Sequence, residues 1–567
     1  MKQKIFEIMI SLLLLAHFSL EMYNSGENWA ILACGSTGYL NYRHQADVFH
    51  VYQSLIKRGF SKNHIILFAY DDIAYNPKNP FPGEIYNRPD GPNVYEGVNI
   101  DYSDNDVNPE TYLSVLKGDN KNGKLKKVLN STSNDNIFMY FSDHGVAGAV
   151  IFPNNQFLYA DELEETFKIM KNKKMYKNII FYLESCFSGS MFNNINSDLN
   201  VYSLTAANPS EQSLATYCYP QDVVKGQEMH TCLSNEFTSN WLDDTDSRIA
   251  FNEVLKNNNN NNNINNNVNE NYSSHEQYIY IKEMTKNSNV QEYGNLSIGD
   301  LPITHFQSSL DSYNDIDKIK EKEKEKEKEK EKSEEEKEYE EIIKRIIDFD
   351  LDDDDGDDDD DGSTTFFNNI KNENVFEEKE FDEIPLNSYD ENNSEERHNY
   401  IYYLIKRNEY MNSIKGKSYK KDETNESLRG KNKQRKIIKD RRYNLVSSKV
   451  KLFYLELEIN QTNDDKKVLD FRTEIAELEK TKNLFGLLKL KLNIPDKFDL
   501  NNIKIDYKCL RSSIQIFQQE CGINERDIEH ISLFSFECSK KNVDISTIKN
   551  SIIEVCNDKK NGLLDVV

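Results

Sequence analysis

Three things are scarce in this sequence of 567 residues: an excess of positive charge, apolar residues, and long hydrophobic runs. Lys and Arg number 70 against 96 Asp and Glu, for a formal net charge of −26. A nucleic-acid-binding surface normally requires a basic face, so this balance argues against that class of partner. Part of the acidity is local, because residues 348–361 alone hold eleven aspartates. Apolar residues make up 37% of the chain, which leaves room for long segments that belong to no core. Beyond residue 20 no stretch is apolar enough to cross a bilayer, so no membrane span is expected in the mature protein. The run over residues 8–20 falls short of the roughly 20 residues a span needs. With Lys2 and Lys4 before it, residues 1–25 read as a secretory signal peptide. The expected setting is the secretory pathway, with a soluble mature protein that is secreted or kept in a lysosome or vacuole.

The eight cysteines are Cys34, Cys186, Cys218, Cys232, Cys509, Cys521, Cys538 and Cys556. A secreted protein pairs most of its cysteines. The last four lie in one terminal region and suit two bridges, and Cys218 and Cys232 flank a loop and suit a third. Cys34, in the apolar run over residues 31–34, reads as a small buried strand residue. Cys186 remains as the thiol that needs a chemical reason.

Strand and helix patterns alternate from Trp29 to about Ser308. WAILAC, HIILFAY, NIFMYF, NIIFYL and NVYSLTAA are strand-like, while RHQADVFHVYQSLIKRGF and DELEETFKIMKNKK carry helical periodicity. Such alternation predicts an α/β fold with a mostly parallel sheet flanked by helices. The expected organisation is a domain over 26–310, interrupted by an asparagine-rich insert at 252–273. A low-complexity, disordered linker follows at 311–440 and carries the KEKEKEKEKEKEK run. Residues 441–567 resume apolar periodicity and read as an all-α region.

Two strand-like runs stop on reactive residues: NIFMYF is followed by SDHG, with His144 and Gly145, and NIIFYL by ESC, with Glu184 and Cys186. In open parallel sheets the active crevice lies beyond the carboxyl ends of the strands. One helix-length separates the two runs, so the strands should be neighbours. A cysteine thiolate is a competent nucleophile, and a nearby imidazole can act as base and then protonate the leaving amine. Gly145 would let backbone approach the substrate, and its N–H with that of Cys186 could bind an oxyanion. A buried cysteine beside a satisfied histidine fits the pattern equally well. No metal and no cofactor is expected, and the aspartates of YDDIAYNP read as turn and cap residues. Asn130 and Asn295 head possible glycosylation triplets.

ILACGSTGYLNYRHQADVFHVYQSL, YFSDHGVAG, FYLESCFSGSMF and LTAANPSEQS strongly resemble the legumains, asparaginyl endopeptidases among the caspase-like cysteine peptidases. The resemblance covers about residues 29–306, and the terminal cysteine block is similar, more weakly, to the legumain prodomain. It implies a caspase-like fold, a zymogen, protein and peptide substrates cut after Asn or Asp through a thioester, cystatin-type inhibitors, and the chain's own C-terminal prodomain as partner. By position it implies Cys186 as nucleophile, His144 as base and Asn41 as the residue orienting it. Arg43, Glu184 and Ser213, with His44 nearby, would form the specificity pocket. There an arginine would donate to the substrate amide oxygen and carboxylates would accept from its nitrogen. The chain departs from the family where TCLSNEF puts Asn235 in place of a common aspartate, unless Glu236 takes over by a one-residue shift. Ser185 and Phe187 stand where alanine and glutamate are common. A free Asn235 amide could accept from a substrate Asn or, rotated, donate to a substrate Asp. Other activities follow from the same resemblance. One is transpeptidation, and another is that of the related glycosylphosphatidylinositol transamidase, which shows a Thr-Cys-Gln pattern where this chain reads ESCFSGS. An inactive binding relative is opposed by the intact Asn41, His144 and Cys186.

Overall fold

A computed structural model describes residues 26–120, 123–258, 272–307, 444–462, 464–495, 497–501, 503–523 and 527–560. The expected signal peptide, the 311–440 linker and most of the asparagine-rich stretch lie outside these residues. The central sheet has six strands: β1 (Asn28–Cys34), β2 (Ile65–Phe68), β3 (Asn136–Ser142), β4 (Asn178–Glu184), β5 (Val201–Thr205) and β6 (Gln291–Gly294). They lie in the order β6-β5-β4-β3-β1-β2. The first five are parallel, and β6 runs antiparallel along β5.

The central strands are buried on both faces, which is why they read as continuous apolar runs rather than alternating ones. Ala30, Leu32, Phe138, Tyr140, Ile180 and Tyr182 pack on one side beneath α1 (Tyr42–Lys57), α4 (Glu236–Asn258) and α5 (Ser274–Met284). Ile31, Met139, Phe141, Ile179 and Phe181 pack on the other with α2 (Pro109–Leu116) and α3 (Ala160–Asn172). Helix α2 starts where Asn108 Oδ1 accepts from Thr111 N at 2.8 Å and Pro109 takes the first helical position. Helix α4 continues to Asn258, so the first residues of the asparagine-rich stretch are helical. Strand β6 escaped sequence reading because its four residues, QEYG, are all half-buried and carry no apolar alternation.

The register decides the rest. Ser142 of β3 lies opposite Glu184 of β4. The residues that leave the sheet next, His144 and Cys186, therefore emerge side by side.

The C-terminal region is helical: α6 (Val450–Gln461), α7 (Asp465–Lys491), α8 (Tyr507–Cys521), α9 (Ile528–Glu537) and α10 (Ile545–Lys560). Disulfides Cys509–Cys538 and Cys521–Cys556 tie α8 to the ends of α9 and α10. A third bridge, Cys218–Cys232, closes a loop of the sheet domain, and Cys34 and Cys186 are free thiols. Among the described residues no helix is long and apolar enough to cross a membrane.

Candidate active site

His144 Nε2 lies 2.9 Å from Asn41 Oδ1. Asn41 sits at the N-terminus of α1 and donates its Nδ2 to Thr37 O at 2.9 Å. That leaves Oδ1 as the acceptor, so Nε2 carries the imidazole proton and Nδ1 is the basic nitrogen. The loop before Asn41 is pinned by Asp72, which accepts from Gly38 N at 2.6 Å and Gln45 Nε2 at 2.7 Å. Asp72, read from sequence as a turn residue, thus supports the histidine's partner.

Gly145 passes so close to the nucleophile strand that a Cβ there would lie 2.4 Å from Cys186 O and 2.8 Å from Ser185 Oγ. Cys186 Sγ faces Ser213 Oγ at 3.9 Å. Burial pushes its thiol up to about 11, against the opposing pull of Ser213 and Arg43. Phe187 follows in the left-handed region, φ 54°, and donates its N–H to Glu211 O at 2.7 Å. That conformation is uncommon for a bulky residue.

The neighbouring pocket is a buried polar network. Arg43, fully buried, donates Nε to Asn235 Oδ1 at 3.1 Å and Nη1 to Leu40 O at 2.9 Å. Asn235 Nδ2 donates to Asp47 Oδ2 at 2.7 Å. Asp47 Oδ1 accepts from Asn87 Nδ2 at 2.8 Å and Ser234 Oγ at 2.6 Å. Burial pushes Asp47 up to about 6 despite these bonds. Glu184 Oε2 accepts from the backbone and hydroxyl of Thr238 at 3.0 and 2.9 Å, while its buried Oε1 has no partner. Burial, then the charge of Asp47, pushes Glu184 up to about 8. Burial thus disfavours its charged form.

His44 Nδ1 is 2.7 Å from Ser36 Oγ and 3.4 Å from Asp143 Oδ1, and its ring stands edge-on to His144 at 5.0 Å. Burial, then Arg43 and His144, lowers its pKa well below the ordinary value, so it is neutral. Among the described residues, His44, Asp143 and His144 each bring a potential ligand atom within 4.8 Å of the others. Ser36 partners one nitrogen of His44 and Asn41 one nitrogen of His144.

Asn235 itself meets Arg43, while Glu236 Oε1 takes Asn287 Nδ2 at 3.4 Å. The amide of Asn235 is also not free to rotate, because Arg43 holds its oxygen and Asp47 its nitrogen. Asp47, Ser234 and Ser36 went unnoticed in the sequence. Asp47 alone had a signal, since it follows Arg43 by four residues on one helix face.

The cleft is covered. Asn41, His144 and Cys186 share its lining with Ser448, Lys449 and Leu452, Ile475 and Lys482 of α7, and His530 of α9. Residues Leu445–Val446 add antiparallel to Leu214–Thr216, and Ser447 N donates to Ser213 O at 3.1 Å. Ala147 donates to Ser532 Oγ at 3.0 Å and accepts from Ser535 Oγ at 2.6 Å. Leu500 packs with Ala147, Cys186 and Phe187, and its N–H donates to Ser210 Oγ. Arg511 pairs with Asp161 and, at 3.5 Å, with Glu162.

A mostly parallel sheet with a histidine and a cysteine at adjacent strand ends defines the caspase-like class. Residues 28–309 match the model of the peptidase C13 family, and this part of the chain belongs to that family. Legumain of Rattus norvegicus is 40% identical over 287 residues, which is 50% of this chain and 60% of that protein. Hemoglobinase of Schistosoma mansoni is 40% identical over 292 residues, 51% of this chain and 62% of that protein. Legumain of Canavalia ensiformis is 40% identical over 284 residues, 49% and 56% respectively. The chain spans about 60% of the length of the curated relatives it matches.

Proposed function

We propose that the protein is a cysteine endopeptidase that cuts after Asn, less readily after Asp, and is made as a latent precursor. The observation that carries this reading is the Asn41–His144 hydrogen bond beside Cys186 at the ends of two neighbouring strands. In the mechanism, His144 Nδ1 takes the Cys186 proton and the thiolate attacks the scissile carbonyl. The N–H groups of Gly145 and Cys186 stabilise the oxyanion. His144 then protonates the departing amine, and water hydrolyses the thioester. For the substrate side chain, Arg43 supplies donors and Ser213 a hydroxyl. Glu184 accepts from the substrate amide nitrogen, and its burial, which disfavours a further charge beside it, suits Asn more than Asp.

Latency is supported by the covered cleft and by the raised Cys186 thiol. Helices α6 to α10 would then act as a prodomain, released once the 308–443 segment is cut and the helices separate. Three disulfides support synthesis in an oxidising compartment of the secretory pathway. The test is a covalent thiol-directed probe carrying Asn, applied after acid treatment. Labelling lost in Cys186→Ala supports the reading, and equal labelling in that variant overturns it.

A further inference from the structure

We propose that Asp47 is the positioning residue of the specificity pocket in this chain, fixing the Asn235 amide so that its oxygen faces and aligns Arg43. The inference rests on the pocket reading above and adds to it a group that meets no substrate.

The argument is a count of donors and acceptors. Asn235 has an acceptor and a donor end, and both are used: Oδ1 by Arg43 Nε and Nδ2 by Asp47 Oδ2. An asparagine carries no intrinsic preference between its two amide orientations. Arg43 can only donate, and Asp47, once ionised above its raised value of about 6, can only accept, so together they permit one. Asp47 is itself held. Its other oxygen accepts from Ser234 Oγ and from Asn87. Asn87 cannot turn, because its own amide also bonds Leu233 O at 3.0 Å and His50 Nδ1 at 2.8 Å. The chain Asn87–Asp47–Asn235–Arg43 therefore runs in one direction, wholly buried. Had Asn235 been an aspartate, two carboxylates would meet at 2.7 Å, and such a pair must share a proton.

Three substitutions read this out in the full-length chain after acid treatment, with active sites counted by the Asn-bearing probe and melting temperature as a folding control. In Asp47→Asn the new amide keeps its oxygen toward Asn87 and Ser234, so its NH₂ opposes the NH₂ of Asn235. Either two donors clash there, or Asn235 flips and presents NH₂ to Arg43. The expected result is a fall of about tenfold in kcat/KM for Asn peptides, mostly in KM. In the double variant Asp47→Asn with Asn235→Asp, every donor again meets an acceptor. The expected kcat/KM returns to within about threefold of wild type. In Asn235→Asp alone, the shared proton is lost as pH rises, so the ratio of variant to wild-type kcat/KM should fall between about pH 4.5 and 7. The charged or titratable groups around Asp47 are Arg43 on the same helix, Glu184 at the end of β4 and Tyr140 on β3. All three, like Asp47 itself, are present in both proteins, so the ratio reads the added carboxyl.

Wild-type kcat/KM in Asp47→Asn, a double variant no better than Asp47→Asn, or a pH-independent ratio for Asn235→Asp would each overturn the inference. If Asn235→Ala also cleaves at the wild-type rate, the pocket reading falls with it. If Asn235→Ala is impaired while Asp47→Asn is not, only the role of Asp47 falls.

Discussion

The two walls of the cleft are held by different physics. On the sheet side, Arg43, Asp47, Glu184 and Asn235 are all at most 1% exposed and bonded to one another or to adjoining backbone. Removing one member of such a network leaves a buried group without its partner, typically a cost of about 1–3 kcal/mol, so the wall moves as a unit or not at all. On the cover side, Val146, Ala149 and Ile151 share an apolar cluster with Leu484, Leu488 and Ile531, and Ala215 packs in a second with Val450 and Tyr454; around them lie serine hydroxyls on the Ala147 backbone, one leucine over the thiol, a short added strand, and the Arg511 ion pairs, whose side chains are 33–39% exposed. Exposed pairs contribute little. The contrast is between a wall locked by buried polar bonds and, on the latency proposed above, a cover held mainly by apolar packing.

The largest expected effects break the sheet side. Cys186→Ala should abolish turnover, by roughly four orders of magnitude or more in kcat, and His144→Ala should lower it by roughly three. Steady-state kinetics on an Asn peptide decides this, and activity near wild type in Cys186→Ala would end the mechanism. Next comes the cover. Leu500→Asp places a charge in the apolar cluster over Cys186, so alkylation of that thiol at neutral pH should speed up by at least about tenfold. An unchanged rate would mean that the cluster does not guard the thiol. A smaller, purely structural effect is expected for Cys218→Ser, which opens a loop of 14 residues' separation. Stability should fall by about 2–4 kcal/mol in denaturant unfolding while the cleavage chemistry survives.

The smallest effect concerns pH. The Asn501 N–H and the Ser210 hydroxyl hold the Asp499 carboxyl below the ordinary carboxylate range. A depressed carboxyl adds stability to the docked state above its undocked pKa and loses it as pH falls through the lower, docked value. Asp499→Asn should therefore shift the acid onset of activity only slightly, by a few tenths of a pH unit, because the group is exposed. Asp222 accepts from Tyr454 of α6 at 3.1 Å. Burial raises its pKa while the Tyr454 bond pulls it down, so that hydrogen bond favours the ionised carboxyl. Onset curves that coincide for Asp499→Asn and wild type would remove Asp499 from the release step.

Much of the sheet wall was legible. Apolar runs located all five parallel strands, because a strand buried on both faces must be apolar at every position. Those runs ended on His144 and Cys186, and the legumain resemblance pointed to Asn41, Arg43 and Asn235. Helices α2, α4 and α5 and strand β6 were not found, since a short capped turn, helices without a clear apolar stripe and a half-exposed edge strand carry little periodicity. Clustering in the chain grouped the cysteines, and the structure supplied the connectivity of the last four.

The amino-acid sequence alone therefore determined which parallel strands exist, which thiols stay unpaired, and which residue types stand at the strand ends, because those properties depend on near neighbours in the chain. Only the tertiary structure decided the state of the pocket. Asp47 meets Asn235 across 188 positions of sequence, and Ser532 meets Ala147 across 385. Burial shifts Glu184 and Asp47 through surroundings that no single segment contributes. Charge state and hydrogen-bond direction are set by what surrounds a group in space, and that is assembled only when distant segments pack together.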